Sequence, residues 1–547
     1  MPSHIIWPKV LHLTVVIFLI CLYSDTAACW SVNAIAFSSK PITANRPRRR
    51  VVDPKPFKER KLVATIGAGA AGSSVAYHLD QILKENSNFE VKVDVLEQAW
   101  TVGGRVKTEY YNGVPNDDFD VAAATFSRNS ETLLAAANKL GLKVKDTCYI
   151  CPPRNEFGPD NHGSLGRLTE SLSRWWRLTK SIWHHGQSPM RARSLGNHLE
   201  NQLKDPRKLT SLPFKNLTRF AEERDLIKLT NLTGDDYLRS HGVDPNYTAA
   251  IIQANIRNRY AQDISQLHGL QTLLYSDTDR QVSIDGGHWA LLDRMLKSSG
   301  ASIHEQTLAT RIERRSGGPF LVDTLTTNPR ISDRRIQRTT MYDAVVIAAP
   351  FHLSSITVEP PLPHPPRNFS YTSLHITHFS SRKPLNISSI HTAVAGSLLT
   401  ALLPTTSDPS HAKPPAIYSL TNSAQIAVLD GCVPVPQPLY RVLSAHRLRH
   451  RHLKGLFVDG HRGDMINWVH RQHWPYAFPN TGPQADFDGP VLVDGLYYTS
   501  GVEALASSLE MSAWMGKNVA RLIVEQFSGR GDGECDHDGK GMGVREL

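Results

Sequence analysis

The sequence predicts a protein of the α/β class, and three observations lead to this prediction. An apolar run, Leu62 to Ile66, is followed by Gly67, Gly69 and Gly72 and then by alanine-rich helical sequence. A second apolar run, VKVDVLEQ, carries Glu97 near its end. Two further strand-like runs, TLATRIERR and YDAVVIAAP, occur much later in the chain. Together they indicate a sheet that is assembled from separated segments and covered by helices.

The first of these elements predicts a strand, a tight turn and a helix that bind a dinucleotide. A pyrophosphate sits against backbone N–H groups at the positive end of a helix, where side chains would obstruct it. Gly67 would make the turn, Gly69 would admit the phosphate, and Gly72 would let helix and strand pack closely. Glu97, at the end of the second strand, is placed to accept hydrogen bonds from ribose hydroxyls.

Two further glycine-containing stretches favour a flavin over a nicotinamide. In WTVGGRVKTE, Gly103 and Gly104 would bring a second piece of backbone to the same pyrophosphate, and Arg105 would add a permanent positive charge. The alternative is an ordinary turn with a solvated arginine. Near the C-terminus, GLYYTSGVEALASSLEMSA predicts a strand, a turn at Gly501 and a long helix whose first turn includes Glu503. The N-terminus of that helix would face the flavin ring and stabilise its reduced form.

These motifs, together with IRNRYAQD at Ile256 to Asp263 and HWPYAFP at His473 to Pro479, resemble those of the prenylcysteine oxidases, also called prenylcysteine lyases. The resemblance covers the chain from Lys61 to about Phe527, and it is poor between Ala393 and Gly463. It implies a Rossmann-like FAD-binding domain of the amine-oxidase-like flavoprotein type, interleaved with an α+β substrate domain.

This organisation divides the chain into successive segments. They are a signal peptide (1–28), a linker (29–60), the first FAD-binding segment (61–150), the first substrate segment (151–280), the second FAD-binding segment (281–355), the second substrate segment (356–470, divergent at 393–463), the C-terminal FAD-binding segment (471–527) and a disordered tail (528–547).

The family resemblance also implies an activity. Such an enzyme oxidises the thioether of farnesyl- or geranylgeranylcysteine with oxygen, and it yields free cysteine, a prenyl aldehyde and hydrogen peroxide during degradation of prenylated proteins. The sulfur and the adjacent double bond stabilise the developing charge, so no acid–base pair is assigned. Arg257, Tyr260 and Gln262 match the family pattern and are candidates for the pocket floor. Their alternative role is an interdomain hydrogen-bond network. The substrate requires a long apolar tunnel.

Two departures from the family pattern keep other functions open. Asp120 matches, but Ala122 and Ala123 replace glycines where the flavin should lie, and Arg259 replaces an asparagine. One alternative is an amine or amino-acid oxidase, which would need a compact polar pocket without a tunnel. The other is a non-enzymatic secreted glycoprotein that has lost its flavin.

The N-terminus predicts entry into the secretory pathway. Lys9 precedes a short apolar stretch, Val10 to Tyr23, and small residues follow, which is typical of a signal peptide, although an uncleaved anchor is an alternative. We therefore expect a vacuolar, lysosomal or secreted protein. Five sequons for N-glycosylation agree with this routing: Asn216, Asn231, Asn246, Asn368 and Asn386.

Charge and cysteine content limit the kinds of partner, cofactor and metal that the protein is expected to bind. The net charge is +10, but secretory routing and the spread of the basic residues argue against nucleic acid. Tryptophan and basic residues alternate in the stretch 171–186, which predicts a peripheral membrane contact, or alternatively a helix packed in the core. Cys148 and Cys151 form a C-x-x-C motif, which indicates a short local disulfide or two buried thiols or, alternatively, a thiol oxidase. The sparse cysteines predict no metal site.

Overall fold

The computed structural model shows strands and helices that alternate along the chain. It describes residues 59–85, 89–111, 118–121, 126–147, 183, 185–204, 212–274, 281–315, 317–327, 335–381, 385, 401–402, 417–430, 433–457 and 466–529. Several predictions fall outside these residues: the signal peptide, Ala122 and Ala123, Cys148 and Cys151, most of 171–186, Asn386 and the tail from residue 530.

The strands are β1 (Glu59–Ile66), β2 (Phe89–Leu96), β3 (Thr108–Tyr110), β4 (Asp118–Asp120), β5 (Phe126–Ser127), β6 (Val144–Thr147), β7 (Gln281–Ile284), β8 (Ser302–His304), β9 (Thr307–Arg314), β10 (Phe320–Thr327), β11 (Arg335–Tyr342), β12 (Ala344–Ile347), β13 (Thr357–Glu359), β14 (Tyr371–Ser381), β15 (Ala401–Leu402), β16 (Ile417–Asp430), β17 (Val433–Ser444), β18 (Ile466–Pro479), β19 (Val491–Val493) and β20 (Leu496–Tyr498).

The helices are α1 (Ala70–Glu85), α2 (Glu131–Lys139), α3 (Ser188–Lys204), α4 (Leu217–Glu223), α5 (Ile227–Thr230), α6 (Gly234–Ser240), α7 (Pro245–Tyr247), α8 (Gln253–Tyr260), α9 (Gly269–Leu273), α10 (His288–Ser298), α11 (Phe351–Ser354), α12 (His450–Lys454), α13 (Val502–Leu505) and α14 (Leu509–Phe527). A π-helix, Thr248–Ile252, leads into α8.

A six-stranded sheet in the order β19-β20-β12-β1-β2-β8 confirms the predicted α/β class. β1 lies between β12 and β2 and is parallel to both, with Val63 opposite Ala344 on one side and Val93 on the other. These strands are apolar on both faces because helices or a second sheet cover each face. β1 begins at Glu59, two residues inside the predicted linker.

Helices α1, α10 and α14 cover one face of this sheet. Val75 and Leu79 of α1 pack in one buried cluster with Val519 and Ile523 of α14. A methyl group added at Gly516 would lie only 2.4 Å from the carbonyl oxygen of Ala71, so α1 and α14 cross at close range. The C-terminal helix therefore holds the helix that follows the glycine turn.

A four-stranded sheet in the order β11-β10-β9-β13 packs on the other face. The strand predicted at Thr307 is β9, and it pairs with β10 and β13. The predicted boundary between residues 355 and 356 separates β13 from the other three strands of this sheet. The predicted boundary between residues 470 and 471 falls inside β18.

The second half of the fold contains a five-stranded sheet in the order β15-β16-β17-β14-β18 and a group of short helices. We call the side of the sheet that packs against Phe119 its inner face; Leu374 and Ile376 lie there. Phe379 and Val442 pack on the opposite, outer face. Within the described residues, no helix is long and apolar enough to cross a membrane.

Candidate functional site

The first glycine turn joins β1 to α1 and has the geometry that a phosphate requires. Gly67 has a φ of 104°, and its N–H donates to the carbonyl oxygen of Leu96 at 2.8 Å. A methyl group at Gly72 would lie 1.9 Å from the carbonyl oxygen of Gly67, so only glycine fits there. The N-terminus of α1 thus approaches the end of β1 with bare backbone, as the sequence predicts.

The second glycine turn lies directly against the first. The N–H of Gly103 donates to the carbonyl oxygen of Ala68 at 2.9 Å. A methyl group at Gly104 would be 3.4 Å from the Cα of Gly69, and one at Gly69 would be 3.9 Å from the carbonyl oxygen of Gly103. The two turns therefore form one cradle, made of Gly67, Gly69, Gly72, Gly103 and Gly104, and this cradle fits the pyrophosphate of a dinucleotide.

Glu97 lies beside this cradle, at the C-terminal end of β2. Its side chain is only 6% exposed. One carboxylate oxygen accepts the N–H of Ala68 at 2.8 Å and the other accepts that of Ala99 at 2.8 Å. A carboxylate has about four lone-pair sites, so both oxygens keep capacity for ribose hydroxyls. The residue thus fits the predicted ribose contact.

Arg105 follows the second glycine turn and is held by an ion pair. Its Nη2 lies 2.5 Å from Oε1 of Glu503, which is 5% exposed. The other oxygen of Glu503 accepts the hydroxyl of Tyr371 at 3.2 Å, and the Arg105 guanidinium lies over the Tyr371 ring. Burial and the adjacent Glu503 charge both raise the pKa of Tyr371, which keeps this hydroxyl protonated. Sequence analysis did not single out Tyr371.

The C-terminal element differs from the prediction. Gly501 caps the short helix α13, which contains Glu503 and ends at Leu505. Ala506 is extended, and the long helix α14 begins only after Ser508, whose hydroxyl accepts the N–H of Met511 at 3.0 Å. Glu503 therefore does not lie in the first turn of the long helix. Local capping by Ser508 interrupts what reads as one helical run.

Asp120 ties the β3–β4 hairpin to the same region. Its Oδ1 accepts the Thr108 hydroxyl at 2.6 Å and the N–H of His288 at 3.1 Å. A methyl group at Gly287, which precedes α10, would lie 2.2 Å from that Thr108 hydroxyl. Asp120 thus connects the hairpin, the segment after Arg105 and the start of α10.

Of the three residues predicted at the pocket floor, Arg257 is bonded locally, and Tyr260 and Gln262 are bonded to distant segments of the chain. Arg257 forms an ion pair with Asp263 at 2.6 Å, and the Tyr260 hydroxyl donates to the carbonyl oxygen of Ser507 at 3.0 Å. The Gln262 amide donates to Thr372 at 2.8 Å and to the carbonyl oxygen of Pro479 at 3.1 Å. The contacts of Tyr260 and Gln262 are of the kind expected for the interdomain network, whereas the contact of Arg257 is local.

A row of polar side chains crosses the inner face of the five-stranded sheet and was not predicted. Thr421 of β16 lies opposite Arg441 of β17, which lies opposite His378 of β14, which lies opposite His470 of β18. The first three are at most 4% exposed. Sequence analysis missed the row because cross-strand register cannot be read from one strand, although HITHF in β14 already places polar residues in an apolar strand.

Two other predicted features can be placed. The sequon residues Asn216, Asn231, Asn246 and Asn368 are all exposed.

A cavity of about 740 Å³ lies among α3, α5 and α6. His198, Lys228 and other polar groups share its lining with leucines, so it differs from the predicted apolar tunnel. Among the described residues, no group of three or more His, Cys, Asp or Glu side chains could hold a metal ion.

The fold and the cradle define a class of protein. The structure matches a putrescine oxidase with putrescine bound (TM-score 0.54, 13% identity, 85% of this chain and 99% of that one). It also matches a cyclohexylamine oxidase from Brevibacterium oxydans (TM-score 0.52, 14% identity, 86% and 99%). At such low identity the likeness shows the fold alone, that of the amine-oxidase flavoproteins. Together with the cradle, it makes the chain a Rossmann-like dinucleotide-binding protein of this fold.

The family follows from comparison of the sequence. The profile for prenylcysteine lyase matches residues 168–536, about two thirds of the chain, and that for an NAD(P)-binding Rossmann-like domain matches residues 65–140. The chain therefore belongs to the prenylcysteine lyase family. It is similar to "Prenylcysteine oxidase 1" of Bos taurus, with 24% identity over 85% of this chain and 89% of that protein. It is also similar to "Farnesylcysteine lyase" of Arabidopsis thaliana, with 23% identity over 85% and 88%.

Proposed function

We propose that the protein is an FAD-dependent oxidase that cleaves the thioether of farnesyl- or geranylgeranylcysteine. One prenylcysteine, one oxygen and one water would give free cysteine, a prenyl aldehyde and hydrogen peroxide. The observation that carries the proposal is the complete dinucleotide cradle in a chain that belongs to this family. Such a reaction would serve the breakdown of prenylated proteins.

FAD fits the residues of the cradle. The pyrophosphate would lie against Gly69, Gly103 and Gly104, and the adenosine ribose would donate to Glu97. When bound, a flavin supplies a hydride acceptor for the carbon that joins sulfur to the prenyl chain, and it passes the electrons to oxygen. The ion pair of Arg105 and Glu503 would join the cofactor segments to Tyr371 in the substrate segment.

The protein's own task is to align the substrate and to bury its isoprenoid chain. The inner face of the five-stranded sheet offers apolar contacts through Leu374, Ile376, Leu439 and Leu443, and Phe119 of the β3–β4 hairpin faces it. At roughly 0.8 kcal/mol per buried methylene, a 15-carbon chain would contribute on the order of 10 kcal/mol before entropy costs. Binding would therefore depend on the lipid chain.

The setting of this activity is also a proposal. The four described sequon asparagines are exposed, which suits glycosylation and a vacuolar, lysosomal or secreted protein. Trp183, at the end of the predicted membrane-contacting stretch, is 88% exposed. A surface tryptophan that follows basic residues in the sequence would favour contact with a lipid headgroup layer, from which a prenylated substrate could enter.

An anaerobic spectrum of the purified protein tests the function. We expect flavin absorption near about 375 and 450 nm that bleaches when farnesylcysteine is added. Readmitted oxygen should then restore the colour and yield one hydrogen peroxide and one farnesal for each cysteine released. Farnesylamine is the matched control, since it keeps the lipid chain but replaces the thioether by an amine. Bleaching by farnesylamine alone would identify an amine oxidase, and a colourless folded protein would support a flavin-free glycoprotein.

A further inference from the structure

The polar row on the inner face, Thr421, Arg441, His378 and His470, lies where an apolar surface would be expected. Its neighbours on the same face, Ile376 among them, belong to a buried hydrophobic cluster. Polar groups buried in such surroundings are costly unless they are hydrogen-bonded. A buried polar row of this kind therefore needs hydrogen-bond partners, which a bound ligand could supply.

Several of these groups have unused hydrogen-bonding capacity toward the described residues. His378 is fully buried, and neither ring nitrogen has a hydrogen-bond partner among them. The same holds for the hydroxyls of Thr421, Ser380 and Ser419, which are at most 1% exposed and lie on the inner face. Unused donors that converge on one face are the signature of a ligand site rather than of a packed core.

The charges and hydrogen-bond donors of the row indicate which chemical group it would bind. Arg441 is 4% exposed and carries a permanent positive charge, and its guanidinium donates to the Asn258 side chain at 3.3 Å. Burial and the neighbouring charges of Arg441 and His470 hold the pKa of His378 well below its ordinary value. The ring is therefore neutral and can donate one N–H. A guanidinium, a neutral imidazole and a hydroxyl together suit a carboxylate.

The position of the row suits the substrate of the proposed function. The Phe119 ring lies 4.6 Å from the His378 ring. Phe119 precedes Asp120, which is bonded to Thr108 just after the second glycine turn. The β3–β4 hairpin thus lies between the polar row and the predicted cofactor-binding segments. Apolar side chains of the inner face flank the row. A prenylcysteine is divided in the same way, since its zwitterionic amino-acid end is polar and its isoprenoid chain is apolar.

We propose that Arg441, His378 and Thr421 bind the α-carboxylate of the prenylcysteine. This inference rests on the proposed function. It implies that these residues make the protein bind a prenylcysteine with a free carboxylate more tightly than the corresponding ester. The three residues are specificity determinants and take no part in the oxidation. The carboxylate would be held at the sheet, and the isoprenoid would extend over the apolar part of the inner face.

The test compares binding of S-tetradecylcysteine with that of its methyl ester to the holoenzyme by calorimetry. The saturated chain lacks the allylic carbon, so binding is measured without reaction. We expect the acid to bind about 10- to 100-fold more tightly than the ester, since the ester loses charged hydrogen bonds. Arg441→Gln should bring this ratio close to one.

Matched controls lie on the outer face of the same sheet. Arg471 donates to the carbonyl oxygen of Leu448, and His375 stacks on His473. Arg471→Gln and His375→Asn should keep the wild-type ratio. His378→Asn and Thr421→Val should each lower it about 3- to 10-fold, and they carry the test if Arg441→Gln does not fold.

Equal binding of acid and ester to the wild type, or an unchanged ratio in all inner-face variants, would overturn the carboxylate site. Failure of the proposed function is a different result: farnesylcysteine would then leave the flavin oxidised whatever the ratio. A flavin that farnesylcysteine reduces, together with an unchanged ratio in the Arg441→Gln variant, would reject only the inference.

Discussion

Replacement of Glu97 by alanine tests the assignment of the cofactor site most directly. The buried carboxylate holds the N–H groups of Ala68 and Ala99, each at 2.8 Å. Hydrogen bonds to a charged group contribute about 1.5 to 3 kcal/mol each, and water entering the vacated space would restore part of this. We expect the free energy of unfolding of the flavin-free protein to fall by about 3 kcal/mol. Loss of a ribose bond of the same kind should weaken flavin binding about 10- to 100-fold.

Two measurements separate these effects. Urea unfolding of the flavin-free protein gives the loss of stability, and equilibrium dialysis with FAD gives the affinity. Glu90→Ala is the control, because Glu90 lies on the same strand, β2, but is exposed, so neither quantity should change. A Glu97→Ala variant that binds FAD within about twofold of the wild type would refute the placement of the ribose at this carboxylate.

Three further predictions concern the turn, the pH response and a helix cap. Gly69→Ala should fold, because its methyl group meets only an oxygen at 3.9 Å, but it should lose flavin. Gly72→Ala should not fold, because its methyl group would lie 1.9 Å from the carbonyl oxygen of Gly67. Soluble yield and the flavin-to-protein ratio measure both effects. Burial lowers the pKa of His268 to about 4, so between about pH 6.5 and 4 the unfolded chain binds an extra proton. Stability should fall there by up to on the order of 3 kcal/mol in denaturation experiments, and less in His268→Asn. Asn216→Ala should lower the free energy of unfolding by about 1 kcal/mol in protein produced without glycosylation, since the Asn216 side chain caps α4, whereas Asn216→Asp should keep the cap.

The sequence predicted the cofactor half of the fold well because its glycines permit few alternatives. Gly72 cannot carry a methyl group next to Gly67, and this glycine spacing predicts the strand, turn and helix when the second strand with Glu97 is read beside it. The sequence-based prediction was wrong at α13 and α14, because it read their helix-forming residues as one continuous helix. Ser508 and Glu510 were the available signal: Ser508 caps α14, and the Glu510 carboxylate accepts the N–H groups of Thr132 and Leu133 at the start of α2.

The half of the fold that contains the five-stranded sheet was less predictable, because the polar row on its inner face depends on strand register. Arg441 and Thr421 fall within Ala393 to Gly463, the stretch that resembles the family poorly, yet they lie opposite each other in the sheet. Pairing of strands that are far apart in sequence follows from tertiary packing and cannot be inferred from the residue types of one strand. Arg257 shows the converse, since a motif that suggested substrate binding is engaged with Asp263.

The ion pair of Arg105 and Glu503 joins residues that are 398 positions apart. β20, which lies two strands from β1 in the central sheet, also comes from this last part of the chain. A ribosome would therefore have to synthesise almost the whole polypeptide before the cofactor site could close. A premature stop shortly before residue 496 would remove little mass, but it would release a chain that had made both glycine turns and could not complete the sheet behind them.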